Sequence, residues 1–215
     1  MRFLVTCGPT YESLDQVRRL TNFSTGKLGI GLANHLRGAG HEVSLLTGYY
    51  AVCRDKAAVE PVTFTTTEDL LQHFRAAAKS RFDAVFHAAA VSDFKLGNIY
   101  RKSGNGSIEP VSSGKFSTRD GALLAELVPT PKVIAELRDL FPQARIFGWK
   151  YEIDGSREGA LKLAQRQITE NRTDFCVANG AAYGEGFGIV NPSGTVVHCE
   201  NHETLYAELL RLAGR

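Results

Sequence analysis

The chain has 215 residues, 43% of them apolar and 22% charged, with a net charge of +2 at pH 7. That length supports one domain with a substantial core, and the composition is that of an ordinary soluble globular protein. So small a net charge, with no basic block, excludes nucleic-acid binding by field alone. The 4 cysteines, Cys7, Cys53, Cys176 and Cys199, include no C-x-x-C pair, so neither a zinc site nor a disulfide framework is expected. No apolar stretch is long enough to span a membrane, and the sequence opens on a strand without a signal peptide, which points to the cytoplasm.

The predicted elements alternate between strand and helix. Residues 2–6 read as a buried strand, and 7–25 as a long functional loop carrying Pro9, Tyr11, Asp15, Arg18, Arg19 and Asn22. A helix over 26–37 puts Leu28, Leu32, Ala33 and Leu36 on one face and ends at Gly38 and Gly40. Residues 42–47 form a second strand, 49–60 are irregular, and 62–65 form a short strand. Thr67 caps a helix over 68–79, and 83–89 form the third main strand, running into the small residues Ala88-Ala89-Ala90. Residues 92–119, rich in Gly and Ser and poor in periodicity, read as a mobile flap carrying Asp93, Lys95, Lys102 and Lys115. A strand over 122–127 precedes a helix that runs to 140, with Thr130 as cap and Pro131 as first helical residue. Strands 144–149 and 173–178 flank a helix capped by Ser156. Residues 187–190 and 195–199, joined by Asn-Pro-Ser-Gly, form a terminal hairpin before a last helix over 201–213.

This order predicts an α/β fold in one domain, residues 1–215: a three-layer Rossmann-like, mostly parallel sheet with helices on both faces and a C-terminal hairpin. Ligands of such sheets bind at the carboxyl ends of the strands. The loops 7–25, 47–60, 88–119, 148–154 and 179–186 should therefore converge on one site. The first of them runs from a strand through a polar, glycine-bearing loop into Gly26-Lys27-Leu28-Gly29-Ile30-Gly31, the start of a helix. The first backbone N–H groups of a helix lack partners and the macrodipole favours negative charge there, so this is an anion site. The same edge collects Asn22, Ser24, Asp93, Lys95, Lys115, Lys150, Glu152 and Asn179. There is no Gly-x-Ser-x-Gly elbow, no Gly-x-x-x-x-Gly-Lys-Ser/Thr loop and no histidine cage, so no protein metal site is assigned. Acids and lysines at a phosphate-binding edge suit nucleotide and Mg²⁺ chemistry. Residues 25–31 look like the Thr-Gly-x-x-x-Gly-x-Gly of short-chain dehydrogenases. They are one residue short, though, and lack both the acid after the second strand and a Tyr-x-x-x-Lys, which disfavours an NAD(P)-dependent reductase.

Asp15-Gln16-Val17-Arg18 and Asn22-Phe23-Ser24-Thr25-Gly26-Lys27-Leu28-Gly29 resemble the signature of phosphopantothenoylcysteine synthetase. The resemblance continues in the family's order through Ala88-Ala89-Ala90-Val91-Ser92-Asp93-Phe94 and Gly114-Lys115-Phe116-Ser117-Thr118, then Leu127-Val128-Pro129-Thr130-Pro131. Gly148-Trp149-Lys150-Tyr151-Glu152 and Asp174-Phe175-Cys176-Val177-Ala178-Asn179 complete it. It implies a ligase of coenzyme A biosynthesis that joins 4′-phosphopantothenate to L-cysteine. A nucleoside triphosphate, CTP or ATP, acts with Mg²⁺ to activate the carboxylate as an acyl-nucleotide, releasing pyrophosphate, and the cysteine amine then forms the amide. It also implies a homodimer and, since the family's flavin-dependent decarboxylase half is absent, a stand-alone form with no flavin.

Residue by residue, the resemblance gives Gly8, Ser24, Gly26 and Gly29 to the substrate phosphate and Asn22 to the reacting carboxylate, where an amide can donate to an oxygen as charge develops. Arg18 and Lys115 join Asn22 as catalytic, Lys115 neutralising phosphate charge. Ala89, Ala90 and Asp93 match a segment that reaches the substrate from the partner subunit. Trp149, a phenylalanine in the family, lies beside the nucleotide base, and Lys150 and Asn179 complete the nucleotide site. The chain departs from the pattern where Ser117 and Thr118 replace flap lysines and where triphosphate lysines fall on Gln167 and Asn171. That leaves Lys150, Lys162 or Arg166 to hold the triphosphate, with CTP favoured because the stand-alone form looks bacterial. The missing lysines also keep open a non-catalytic relative that binds phosphopantothenate or nucleotide without turnover.

Overall fold

The computed structural model describes residues 1–53, 55–104, 106–111, 115–117 and 121–214. In β1 (Arg2–Cys7), Phe3, Val5 and Cys7 face one layer of helices and Leu4 the other, and Phe3, Leu4 and Val5 are fully buried. A strand covered on both faces carries a continuous apolar run rather than an alternation. β6 (Ala84–His87), β10 (Arg145–Tyr151) and β11 (Phe175–Asn179) are central for the same reason, while β4 (Glu42–Gly48) and β5 (Val62–Phe64) extend the sheet on the far side of β1. All six are parallel, and with β12 (Phe187–Val190) and β13 (Val196–Cys199) they form an 8-stranded sheet in the order β13-β12-β11-β10-β6-β1-β4-β5. Numbered among themselves, the parallel strands follow the doubly wound order 3-2-1-4-5-6, with the switch point between β1 and β6. β12 and β13 pair antiparallel, as the expected C-terminal hairpin.

α1 (Lys27–Gly38) and α5 (His202–Ala213) cover one face through Leu32, Leu36, Leu205 and Leu209. α2 (Thr67–Ala77), α3 (Val133–Leu140) and α4 (Arg157–Asn171) cover the other through Leu70, Phe74, Leu137, Ala164 and Ile168. The three-layer Rossmann-like expectation holds. Among the described residues, no helix is long and apolar enough to cross a membrane.

Helix starts follow their caps. Ser156 caps α4, accepting from Gly159 N, and Asn201 forms a capping box with Thr204 at α5. At α2 the cap is Thr66, which accepts from Asp69 N at 3.2 Å, and not Thr67. Thr67 is instead the first helical residue, buried, its N–H donating to the buried Glu12 at 3.0 Å. α3 begins at Val133 and not at Pro131, because the Thr130 hydroxyl donates to the Ser92 carbonyl instead of capping a helix.

Two stretches expected to be irregular contain strands. Within residues 7–25, β2 (Tyr11–Ser13) and β3 (Arg19–Thr21) form a hairpin. Within 92–119, β7 (Phe94–Lys102) and β8 (Ile108–Pro110) pair, and β9 (Leu123–Pro129) completes a three-stranded antiparallel arm of order β8-β7-β9. The described part of the flap therefore contains sheet, held by main-chain hydrogen bonds that its composition does not announce. Gly114 and Thr118 of its family-like motif lie outside the described residues.

Phe86 is the pivot of the core on the α1/α5 side. It is fully buried, stacked on Phe147 at 4.6 Å between ring centroids and edge-on to Phe3 at 5.7 Å. Phe86→Ala is expected to cost about 3–5 kcal/mol by loss of transfer energy and creation of a cavity. The check is the urea midpoint at unchanged slope; a cost below about 1 kcal/mol would show that the core is not packed around this ring.

Candidate active site

The site begins where β1 stops. α1 starts at Lys27 yet packs back over the end of the strand, so closely that a Cβ on Gly29 would stand 2.3 Å from the Cβ of Cys7. Gly26 makes the entry in the left-handed region at φ 76°, which glycine adopts without strain. No side chain caps this helix in the usual way, although Thr25 Oγ1 accepts from Lys27 N at 3.3 Å. α1 therefore presents unpartnered N–H groups and the positive end of its dipole at the carboxyl edge of the sheet.

That edge holds a cavity of about 670 Å³, straddling the sheet beside the switch point. The first loop and α1 supply Asn22, Ser24, Gly26, Lys27 and Gly29; the segment after β6 supplies Ala89, Ala90 and Asp93; β10 and β11 supply Trp149, Lys150 and Asn179. All of these except Lys27 are residues expected from the sequence. Ala89, Ala90 and Asp93 line the cavity of the same chain that carries Ser24 and Gly26, so one subunit already brings them together. Of the loops expected to converge, 47–60 does not line the cavity; its Ala51 and Gly48 pack behind Gly8 instead.

Gly8, Arg18 and Lys115 lie off the cavity lining. Gly8, at φ 77°, sits behind the helix entry, where a Cβ would meet that of Ala51 at 2.8 Å, and its carbonyl accepts from Ala90 N at 2.9 Å. Arg18 is paired with Asp15, whose carboxyl it holds well below the usual carboxylate range, and it donates to the Phe116 carbonyl at 3.1 Å. The hairpin loop is thus fastened to the segment carrying the exposed Lys115.

Within the cavity, the Asn22 amide nitrogen donates to the carbonyls of Ala90 and Val91, both at 3.2 Å. Lys150 pairs with Glu152 at 2.9 Å and Lys132 with Asp93 at 3.3 Å. Lys162 and Arg166 pair with Glu158 and Glu170 along α4 and do not line the cavity, which leaves Lys150 of the three cations considered for the triphosphate. Gln167 does line it, but its side chain is engaged, donating to the Trp149 carbonyl at 3.1 Å and accepting from the Cys176 thiol at 2.7 Å. Asn171 is buried and donates to the Gln167 carbonyl at 2.8 Å. Among the described residues no group of three or more His, Cys, Asp or Glu could hold a metal ion.

Sequence reasoning missed Lys27, Lys132 and His87 as lining residues. Each had a signal: Lys27 stands in the helix-opening motif, Lys132 follows the proline expected to open a helix, and His87 ends an apolar strand at the carboxyl edge. His87 is buried, with its Nδ1 2.8 Å from Thr6 Oγ1 and its ring edge-on to Phe74. Burial, with Lys132 adding repulsion, lowers its pKa to about 4.

The family described as the DNA/pantothenate metabolism flavoprotein C-terminal domain matches residues 1–209. The chain belongs to this family. It is similar to the coenzyme A biosynthesis bifunctional protein CoaBC of Thermococcus kodakarensis, 33% identical over 184 residues covering 83% of this chain and 41% of that protein. It is similar also to the CoaBC of Bacillus subtilis, 28% identical over 93% of this chain and 45% of that protein. The chain thus spans less than half the length of these curated relatives. A crystal structure of the DNA/pantothenate metabolism flavoprotein from Streptococcus pneumoniae superimposes with a TM-score of 0.85 at 25% identity, covering 100% of this chain and 98% of that one. The family expected from the motifs is borne out, and with it the fold.

The neutral, buried His87 makes stability depend on pH. Its folded pKa of about 4 lies below the ordinary 6.5, so between those values the unfolded chain binds a proton that the folded chain does not. The stabilisation is complete above pH 6.5 and is lost as pH falls through this window, by on the order of 3 kcal/mol. His87→Gln is expected to flatten that part of the profile, measured as urea midpoints at pH 7 and pH 4.5 for both proteins. Equal losses in the two would show that other groups carry the dependence.

Proposed function

We propose that this protein is a phosphopantothenate–cysteine ligase of coenzyme A biosynthesis, a cytoplasmic homodimer that uses CTP, or else ATP, as the magnesium complex. The observation that carries this reading is one cavity bounded by the uncapped α1 N-terminus, the Asn22 amide and three lysines, Lys27, Lys132 and Lys150. Such a space suits two phosphorylated ligands side by side, one of them bearing a carboxylate. In a family built for pantothenate metabolism, phosphopantothenate and a nucleotide are the natural pair.

In this reading the phosphate of phosphopantothenate sits over Ser24, Gly26 and Gly29, with Gly8 shaping the turn behind them. Its carboxylate points towards Asn22. The nucleotide lies across β10 and β11, base beside Trp149 and Asn179, triphosphate towards Lys150 and Lys132. Magnesium enters with the triphosphate as part of the substrate, and Asp93, on the cavity wall, would be the acid available to it. A carboxylate oxygen attacks the α-phosphorus and pyrophosphate leaves, giving the acyl-nucleotide. The cysteine amine then attacks the acyl carbon, and the nucleoside monophosphate leaves as the amide forms. Asn22 exchanges one backbone carbonyl for the acyl oxygen, donating to it as negative charge develops. Arg18 holds Phe116 and so directs Lys115 towards the phosphates. No step calls for flavin.

Exposed apolar side chains on the β7–β9 arm, Phe94, Ile108 and Leu127, together with the fully exposed Phe23, support a homodimer in which Ala89, Ala90 and Asp93 also approach a partner's site. The engagement of Gln167 and Asn171 in internal hydrogen bonds favours the second reading, a relative that binds ligand without turnover.

Pyrophosphate release decides between the two readings. With 4′-phosphopantothenate, cysteine and Mg²⁺, release is expected with CTP or ATP and is expected to stop when phosphopantothenate is omitted. A chain that binds nucleotide but releases nothing is the binding-only relative. Asn22→Asp is expected to fold normally and to slow amide formation by about 10²–10³-fold, since a carboxylate there repels the developing charge. Unaltered rates would remove Asn22 from the mechanism.

A further inference from the structure

The segment after β6 and the loop that carries Asn22 meet at one buried residue, Thr10. Its N–H donates to the Ala90 carbonyl at 3.1 Å. Its hydroxyl accepts from Ser92 N at 2.8 Å and donates to Ser92 Oγ at 3.2 Å. Thr10 and Ser92 are both buried, so solvent does not compete for these bonds. On its other side the Thr10 carbonyl accepts from the Thr21 hydroxyl at 2.8 Å, and Thr21 immediately precedes Asn22. The Asn22 amide nitrogen carries two N–H donors, and its acceptors are the carbonyls of Ala90 and Val91, each at 3.2 Å. These acceptors are not equivalent. The Val91 carbonyl and the Ser92 N–H belong to one trans peptide unit, in which they point in opposite directions. The Thr10 hydroxyl therefore grips one edge of that plane and Asn22 the other. The Ala90 carbonyl, by contrast, keeps a second donor, Thr10 N, when Asn22 leaves it.

Building on the ligase reading above, we propose that Thr10 is a positioning residue that aims the Asn22 amide at the reacting carboxylate. Its hydroxyl fixes the Val91–Ser92 peptide, which holds one Asn22 N–H on the Val91 carbonyl and so sets the direction of the other. That other N–H is the one that passes from Ala90 to the acyl oxygen. Its release costs little, because Thr10 N leaves the Ala90 carbonyl paired. The bond from the Thr21 hydroxyl ties the backbone ahead of Asn22 to the same joint. Thr10 does not line the cavity and acts only through the peptide plane. Without its hydroxyl the buried Ser92 N–H loses its acceptor, the plane turns, and the amide loses its aim. The α1 start, which receives the substrate phosphate, is untouched by that change.

The test is a double-mutant cycle on the full chain, read as the rate of amide formation from 4′-phosphopantothenate and cysteine. Thr10→Val keeps the side-chain shape and removes the hydroxyl. It is expected to lower kcat by about 10- to 100-fold with little change in KM for phosphopantothenate, and Thr10→Ser to recover most of that loss. In an Asn22→Ala background the same Thr10→Val step is expected to cost less than about 2-fold, because there is no amide left to aim. Thr21→Val, at an exposed position, gives the same comparison if Thr10→Val does not fold, with a loss of about 5-fold that also vanishes in the Asn22→Ala background. Equal losses with and without Asn22, a loss in KM alone, or a Thr10→Ser variant as slow as Thr10→Val would each overturn the proposal. A second readout needs no turnover. The Asn22 side-chain amide signals of ¹⁵N-labelled protein, identified by their absence from Asn22→Ala, are expected to move towards those of a free amide in Thr10→Val, or in Thr21→Val, and to stay in place in Thr10→Ser. A wild type without turnover whose Asn22 signals respond in this way sinks the ligase and keeps the positioning. Turnover with signals that do not respond sinks the positioning alone.

Discussion

α1 approaches the end of β1 to a distance that only a residue without a side chain permits. At Gly29 a Cβ would stand 2.3 Å from that of Cys7 and 3.4 Å from the Thr6 carbonyl oxygen. This contact brings the helix start to the carboxyl edge and sets Ser24, Gly26 and Lys27 at the wall of the cavity. Any side chain at Gly29 would lift the helix off the strand and carry the anion-binding end away from Asn22 and Trp149. The buried faces of Leu32 and Leu36 then fix the rest of α1 against the sheet, so one close approach and one apolar stripe define where the site stands.

The helices divide by how they begin. α2, α4 and α5 each start under a side-chain cap, from Thr66, Ser156 and Asn201. α1 and α3 have no side-chain cap, and the residues opening both, Lys27 and Val133, line the cavity. Two positive helix ends and three lysines therefore surround one space, with Asp93 and Glu152 offsetting part of that charge through their pairs with Lys132 and Lys150. His87 contributes none, because its burial keeps it neutral near physiological pH. The residual field favours anionic ligands, and its sources are backbone and side chains fixed before any ligand arrives.

The central strands were legible because burial on both faces leaves an uninterrupted apolar run, as in Phe3-Leu4-Val5 and Ala84-Val85-Phe86. Ser156 was legible because a hydroxyl before a helical pattern has one obvious use. The strands of the β7–β9 arm were hidden because much of their surface meets solvent, so neither face carries the alternation that betrays a half-buried strand; all three residues of β3 are exposed for the same reason. Thr66 and Thr67 are adjacent and chemically alike, and only the buried carboxylate of Glu12, from a distant hairpin, separates their roles. Thr130 was assigned to a helix and serves a loop, because its acceptor, the Ser92 carbonyl, is supplied by tertiary structure. The cavity wall was largely readable from loop positions and motifs, whereas the pairing states of Lys150, Gln167 and Asn171 depend on neighbours across strands that no spacing reveals.

The main sheet ends, on one side, in β5, three residues long and preceded by Pro61, and on the other in β13, four residues long. A free strand edge is a template for pairing with another chain, and its danger grows with length and flatness. Here the long apolar strands occupy the interior of the sheet, and only short ones remain at the rim. The main sheet thereby offers little continuous edge on which another chain's strand could pair.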